Sequence, residues 1–91
     1  MAPEVIWAGS AARALKKIDK DAKVRILTEV GRLAAQPFPP GSKKLSGSPA
    51  HRLRVGDYRV VYQFDEPKGR IVVLKVGHRK EVYTRLPELK D

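Results

Sequence analysis

The chain has 91 residues, 42% of them hydrophobic, and its 19 Lys and Arg against 10 Asp and Glu leave a formal charge of +9. A chain this short buries about 60–65% of its unfolded surface, enough for one core, so residues 1–91 are expected to form a single domain. The charge points to a polyanionic partner, a description that nucleic acid, an acidic protein or an anionic membrane surface would each satisfy. The absence of cysteine excludes disulfides, thiolate nucleophiles and Cys-based zinc sites. No apolar stretch approaches the roughly 18 residues of a membrane span, and Met1-Ala2-Pro3-Glu4 has neither the basic flank nor the apolar run of a signal peptide. A soluble protein that stays in the cytoplasm is expected.

The first half reads as helical and the second as sheet, an order that implies an α+β domain. Val5-Ile6-Trp7 is a short apolar run suited to a first strand. Ala11, Ala14, Leu15 and Ile18 then recur at helical spacing, with Ser10 as the expected N-cap. Asp19 offers a second cap, after which Lys23, Ile26, Leu27, Val30, Leu33 and Ala34 keep the helical period until Gln36-Pro37 stops it. Two helices are therefore expected to form an antiparallel hairpin packed on a sheet. Pro37-Phe38-Pro39-Pro40-Gly41 is a connector, because proline lacks the backbone donor and restricts the residue before it. Ser42 to Pro49 reads as loop, although Lys43-Lys44-Leu45 would allow something shorter to begin there.

From His51 the period changes to two. Leu53 and Val55 alternate with Arg52 and Arg54, and Tyr58, Val60, Tyr62 and Phe64 alternate with Arg59, Val61 and Gln63. Gly56-Asp57 between the runs fits a two-residue hairpin turn of the II′ or I′ kind. Counting outward from that turn sets Val55 against Tyr58, Arg54 against Arg59, Leu53 against Val60 and Arg52 against Val61. Residues 65–69 read as a second turn and Ile71 to Val76 as a further strand. Placing Lys75 on the Arg54 and Arg59 face leaves Val72, Leu74 and Val76 to pack against the helices.

Two arginines directly opposite on one sheet face repel, at a cost of a few tenths of a kcal/mol or more. Screening by water and salt would account for a lone pair. Here Arg52 lies two residues away on the same face, Lys75 on the next strand and Arg79 just past its end, and five converging cations are better explained as a phosphate-binding surface. Trp7, Tyr58, Tyr62 and Phe64 have the placement of core residues. Tyr83 lies in a charged segment where no periodicity demands burial, and it reads equally as a strap residue or as a platform for a base. There is no Gly-rich phosphate loop, no HExxH and no metal-spaced cluster, so no metal or other cofactor is expected. His51 and His78 are a conceivable acid–base pair for RNA cleavage, but phosphate-contacting or structural roles suit them better, and His78 is the stronger candidate because it adjoins Arg79.

The run Lys44-Leu45-Ser46-Gly47, followed by His51-Arg52-Leu53-Arg54-Val55-Gly56-Asp57-Tyr58-Arg59-Val60-Val61-Tyr62, resembles the central signature of RelE-type toxins. Val76-Gly77-His78-Arg79-Lys80-Glu81-Val82-Tyr83 resembles their C-terminal signature, and with the helical hairpin nearly the whole chain is similar to the RelE/ParE superfamily. The resemblance implies a βααβββ domain, the toxin half of a toxin–antitoxin pair, which enters the ribosomal A site and cuts the mRNA codon there. Carried over by position, Arg59, Arg79 and Tyr83 match the family's arginines and tyrosine, whereas Arg52 and Arg54 stand where well-studied members have lysines. The resemblance thus assigns Arg54, Arg59 and Arg79 to the scissile phosphate, with Tyr83 stacking on or orienting the nucleotide. Lys43, Lys44, Arg52, Lys75, His78 and Lys80 would hold ribosomal RNA. Arginine matches phosphate oxygens well but is a poor general base, its pKa lying above about 12. A cognate antitoxin is implied as partner, along with the ribosome and mRNA. Two alternatives stand beside this expectation: a ParE-like toxin that binds DNA gyrase without nuclease activity, and a non-enzymatic RNA-binding module.

Overall fold

A computed structural model describes residues 4–82. Strand β1 (Glu4–Trp7) leads into helices α1 (Gly9–Lys16) and α2 (Lys20–Arg32), followed by strands β2 (Ser42–Lys44), β3 (His51–Val55), β4 (Tyr58–Asp65) and β5 (Arg70–His78). The strands form one sheet in the order β1-β5-β4-β3-β2, antiparallel except for the parallel pairing of β1 with β5. Helix α1 lies against β5 and α2 against β3, which gives the expected α+β architecture.

Local chemistry explains most boundaries. The Asp19 carboxylate accepts the Ala22 N–H at 3.2 Å and caps α2 as expected. Ser10 does not cap α1: the helix begins at Gly9 with Ala8 at the cap position, and no side-chain bond is made there. The cause is the sheet, since the Ala8 N–H is still bonded to the Val73 carbonyl of β5 and the chain turns into the helix as soon as that last strand bond is made. Helix α2 stops at Arg32, and a tight turn then leads into the proline connector. Lys43 and Lys44 belong to a short edge strand, β2, not to a loop, because the register sets Lys43 against Arg52 and Lys44 against His51.

The β3–β4 register is the expected one at every pair from Arg52/Val61 to Val55/Tyr58. Gly56 has φ +58° and Asp57 no positive φ, the sign pattern of a II′ turn. Strand β5 departs from expectation. Val61 pairs with Lys75 but Tyr62 pairs with Val73, so Leu74 is an extra residue, a β-bulge that switches the parity of the strand. Ile71, Val73 and Val76 therefore face the helices, while Leu74 turns to the opposite face.

The main core joins Ile26 and Val30 of α2, and Leu33 just past its end, to Leu53, Val60 and Tyr62 of the sheet. Leu27, expected inside, is 45% exposed. The other face of the sheet carries a second, smaller cluster in which Leu45, Ala50, Val61 and Val82 are buried, with Leu74 packed against them. Segments before β3 and after β5 thus fold onto the face that lacks helices and cover part of it.

Candidate nucleic-acid interface

Strand register builds the basic surface. On the face away from the helices, Lys75 of β5, Val61 of β4, Arg52 of β3 and Lys43 of β2 are successive partners across four strands. The neighbouring row runs Gly77, Arg59, Arg54. Four cations flank the small apolar cluster in these two rows besides Arg59, and among the described residues no carboxylate forms an ion pair with Lys43, Arg54, Arg59, Lys75 or Arg79.

Arg59 differs from the others. It is 5% exposed, and its Nη1 donates at 3.0 Å to the carbonyls of both Gly56 and Tyr58, while Nε is buried without a partner. Its charge is thus folded against the β3–β4 turn rather than held open to solvent. The same turn receives Arg79, whose backbone N–H donates to the Asp57 carbonyl at 2.8 Å while the residue stays exposed. Next along the chain, the N–H groups of Glu81 and Val82 donate to the His78 carbonyl, and Val82 is buried beside Gly77. Two of the arginines singled out in the sequence are therefore tied to one two-residue turn, Arg59 by its side chain and Arg79 by its backbone. Arg54 is exposed, and its N–H bonds to the Gly41 carbonyl. Arg52 is half-buried, and its Nη1 donates to the same carbonyl at 2.9 Å.

Several sequence-expected members lie elsewhere. Lys44 sits opposite His51 on the helix-facing parity of the sheet. His78 pairs with Tyr58, their rings 6.0 Å apart and edge-to-face, and lines a cavity with α1 residue Ala14 and with Ile18 just beyond the helix, so it adjoins Arg79 in sequence but occupies the other face. Its Nδ1 accepts the Lys80 N–H at 3.2 Å, and Lys80 is exposed in the turn after β5. The His51 ring lies 4.6 Å from that of Phe38, tilted by 38°, and 5.9 Å from that of Tyr62. Burial holds its imidazole below the ordinary 6.5, a shift opposed by the Pro49 backbone and reinforced by Lys44. The two histidines thus sit at separate places on the helix side, and neither faces the arginines. Tyr83 lies outside the described residues. Among the described residues no three His, Asp or Glu gather where they could hold a metal ion, and no helix is long and apolar enough to cross a membrane.

One basic residue was invisible to periodicity. Arg25 of α2 lies over the turn from the helix side, its Nη1 3.2 Å from where a Cβ on Gly56 would sit. The Gly-Asp pair marks the turn in the sequence, but nothing there marks which cation covers it.

The arrangement is a small α+β domain whose sheet shows helices one face and a cation-bordered surface the other. Residues 5–83 match the family described as the ParE toxin of the type II toxin–antitoxin system, parDE, and the chain belongs to that family. Solved structures agree on the fold. The RelE–RelB complex of the archaeon Pyrococcus horikoshii contains a chain 28% identical with a TM-score of 0.78, covering 90% of this chain and 100% of that one. A chain of the RelBE2 complex of Mycobacterium tuberculosis is 26% identical with a TM-score of 0.77, covering 87% and 100%. A chain of the intact Escherichia coli RelBE complex, 24% identical with a TM-score of 0.74 over 85% and 96%, shares the fold. Comparison with curated proteins gives no match.

Proposed function

We propose that this toxin is a metal-independent endoribonuclease that cuts mRNA in the ribosomal A site. The observation that carries this reading is the Arg54/Arg59 pair, set opposite each other on a face that also bears Lys43, Arg52 and Lys75, with no carboxylate paired to Arg54, Arg59, Lys43 or Lys75 among the described residues. A phosphodiester fits the guanidinium fork of exposed Arg54, and Arg59, buried beneath the turn, adds its charge to the same face without contacting the anion directly.

In the proposed reaction the 2′-oxygen of the target nucleotide attacks the adjacent phosphorus. The P–O5′ bond breaks, a 2′,3′-cyclic phosphate forms, the 2′-hydroxyl loses its proton, and the 5′-oxygen leaves protonated. Arg54 and Arg79, both exposed, hold the phosphate oxygens, with Arg79 beside the leaving oxygen. Arg59 contributes its charge from beneath the turn, and Tyr83 orients the nucleotide. Lys43, Arg52 and Lys75 bind flanking RNA. The arginine face holds no histidine, and arginine keeps its own proton too firmly to serve as the base, so rate depends on substrate placement, which can be worth roughly 7–11 kcal/mol of barrier. Requiring the ribosome to hold the mRNA is consistent with this. The cognate antitoxin is the regulatory partner, in keeping with the similar chain of P. horikoshii, which comes from a RelE–RelB complex, and that of M. tuberculosis, which comes from the toxin–antitoxin complex RelBE2.

A ParE-like action on gyrase is the second reading, favoured by the description of the matched family. The two are separated by incubating the protein with programmed ribosomes, with naked mRNA, and with gyrase plus supercoiled DNA. Cuts within A-site codons, mapped at the new 5′ ends, are expected. Intact ribosomal mRNA together with gyrase-dependent DNA breaks would reject the ribonuclease.

A further inference from the structure

Outside the basic face, the molecule has a groove between α2 and the end of β3. Its larger part, a cavity of about 230 Å³, has Val24, Thr28 and Val55 among its lining residues, with Arg25, Arg32 and Arg54 around them. A second part of about 140 Å³ continues it past Arg25 and Gly56 to Tyr58.

Three observations define what it fits. First, Val24 is 53% exposed, one of three large hydrophobic side chains left open among the described residues, so the lining offers an unfilled apolar contact. Second, the lining is positive. Arg25, Arg32 and Arg54 outnumber its two carboxylates, Glu29, which pairs with Arg32 at 3.2 Å, and Asp57 in the second part, and neither Arg25 nor Arg54 has a carboxylate partner among the described residues. Third, Arg54 belongs both to this groove and, by register, to the face assigned above to RNA. A polynucleotide would find phosphate contacts here but no aromatic ring in the larger cavity on which to stack a base. A peptide carrying carboxylates around an apolar side chain matches both the lining and its rim.

We propose that the groove seats an acidic, partly apolar segment of the antitoxin, and that this segment draws Arg54 away from the RNA face. The inference rests on the toxin–antitoxin reading and adds where and how neutralisation occurs: a ligand bound on the helix side takes a cation from the opposite face without covering that face.

The test uses the full-length toxin and the antitoxin encoded with it. Val24→Asp and Arg25→Glu alter the groove, and Lys43→Glu and Lys75→Glu make comparable charge changes on the other face. Both groove variants are expected to lose at least tenfold in antitoxin affinity and to escape neutralisation while cutting ribosome-bound mRNA at the unaltered rate. The face variants should keep antitoxin affinity within about threefold. Should Arg25→Glu fail to fold because Arg25 covers Gly56, Val24→Asp decides alone, since its side chain is already half open to solvent. Unchanged antitoxin affinity in the groove variants, or a loss confined to the face variants, would overturn the proposal, as would loss of binding to polyuridylate in the groove variants with antitoxin binding intact. If the antitoxin fails to bind even the unaltered toxin, the toxin–antitoxin reading itself falls and the groove assignment with it. That outcome is distinct from a selective failure of the variants.

Discussion

Arg59 brings a positive charge under the β3–β4 turn, where two carbonyls receive Nη1 and Nε finds nothing. Burying a cation costs several kcal/mol, and bonds to neutral carbonyls recover only part of it. Arg59→Met is therefore expected to fold at least as stably as the unaltered chain, judged by urea midpoint, while its cleavage of ribosome-bound mRNA falls. A clear loss of stability would make Arg59 a structural staple instead. Arg54→Ala and Arg79→Ala should each lower the single-turnover cleavage rate by about 10²–10³, the usual consequence of removing one preorganised donor from a developing oxyanion. Undiminished cutting would remove them from the site. The sequence places Arg54 opposite Arg59 because a two-residue turn fixes the register, and that much was legible. Folding Arg59 back onto the turn was not, since alternation tells which face a side chain leaves by but not where a long one ends.

At the scale of elements, what is read well depends on local signals and what is missed depends on distant ones. Asp19 caps α2 through a contact three residues away, and Asp19→Ala should lower stability by about 1 kcal/mol in urea unfolding. Ser10 fails as a cap because β5, far downstream in the chain, holds Ala8 in place. Strand β2 is hidden in a polar, Lys-rich stretch whose only reason to be extended is the edge of β3. The Leu74 bulge reverses the parity of β5, which is why Ile71 and Val73 occupy the core in place of Val72 and Leu74. His51 adds a dependence on acidity. Its folded-state pKa lies below the ordinary 6.5, so the imidazole makes no pH-dependent difference to stability well above that value. As the pH falls through 6.5 the unfolded chain takes up the proton first, and stability declines until the pH passes the folded value. The loss between about pH 7.5 and about pH 5 in urea midpoint should shrink in His51→Gln. An undiminished loss would place the titrating group elsewhere.

For the molecule as a whole, charge and topology act on different questions. The charge of +9 calls for a polyanion, yet it marks RNA and an acidic antitoxin alike. Salt should discriminate between numbers of contacts. Three to five phosphates neutralised on a single strand predict a slope of roughly −2 to −3.5 in log affinity against log salt for polyuridylate, and a slope near zero would mean that the basic face does not bind RNA. Helix count, strand alternation and the central hairpin were all legible because each is written in a contiguous segment. The parallel joining of β1 to β5 was not, because no local pattern records which distant strand will be its neighbour.

That joining has a consequence for biosynthesis. The opening strand and α1 both lie against β5, so a chain still emerging from its ribosome has nowhere to dock them until translation has passed Arg70–His78. Closing a loop this long comes late, after the local helices have formed. Nascent polypeptides halted short of Arg70 should remain protease-sensitive, so the toxin fold would close only once its last-made strand can receive the first.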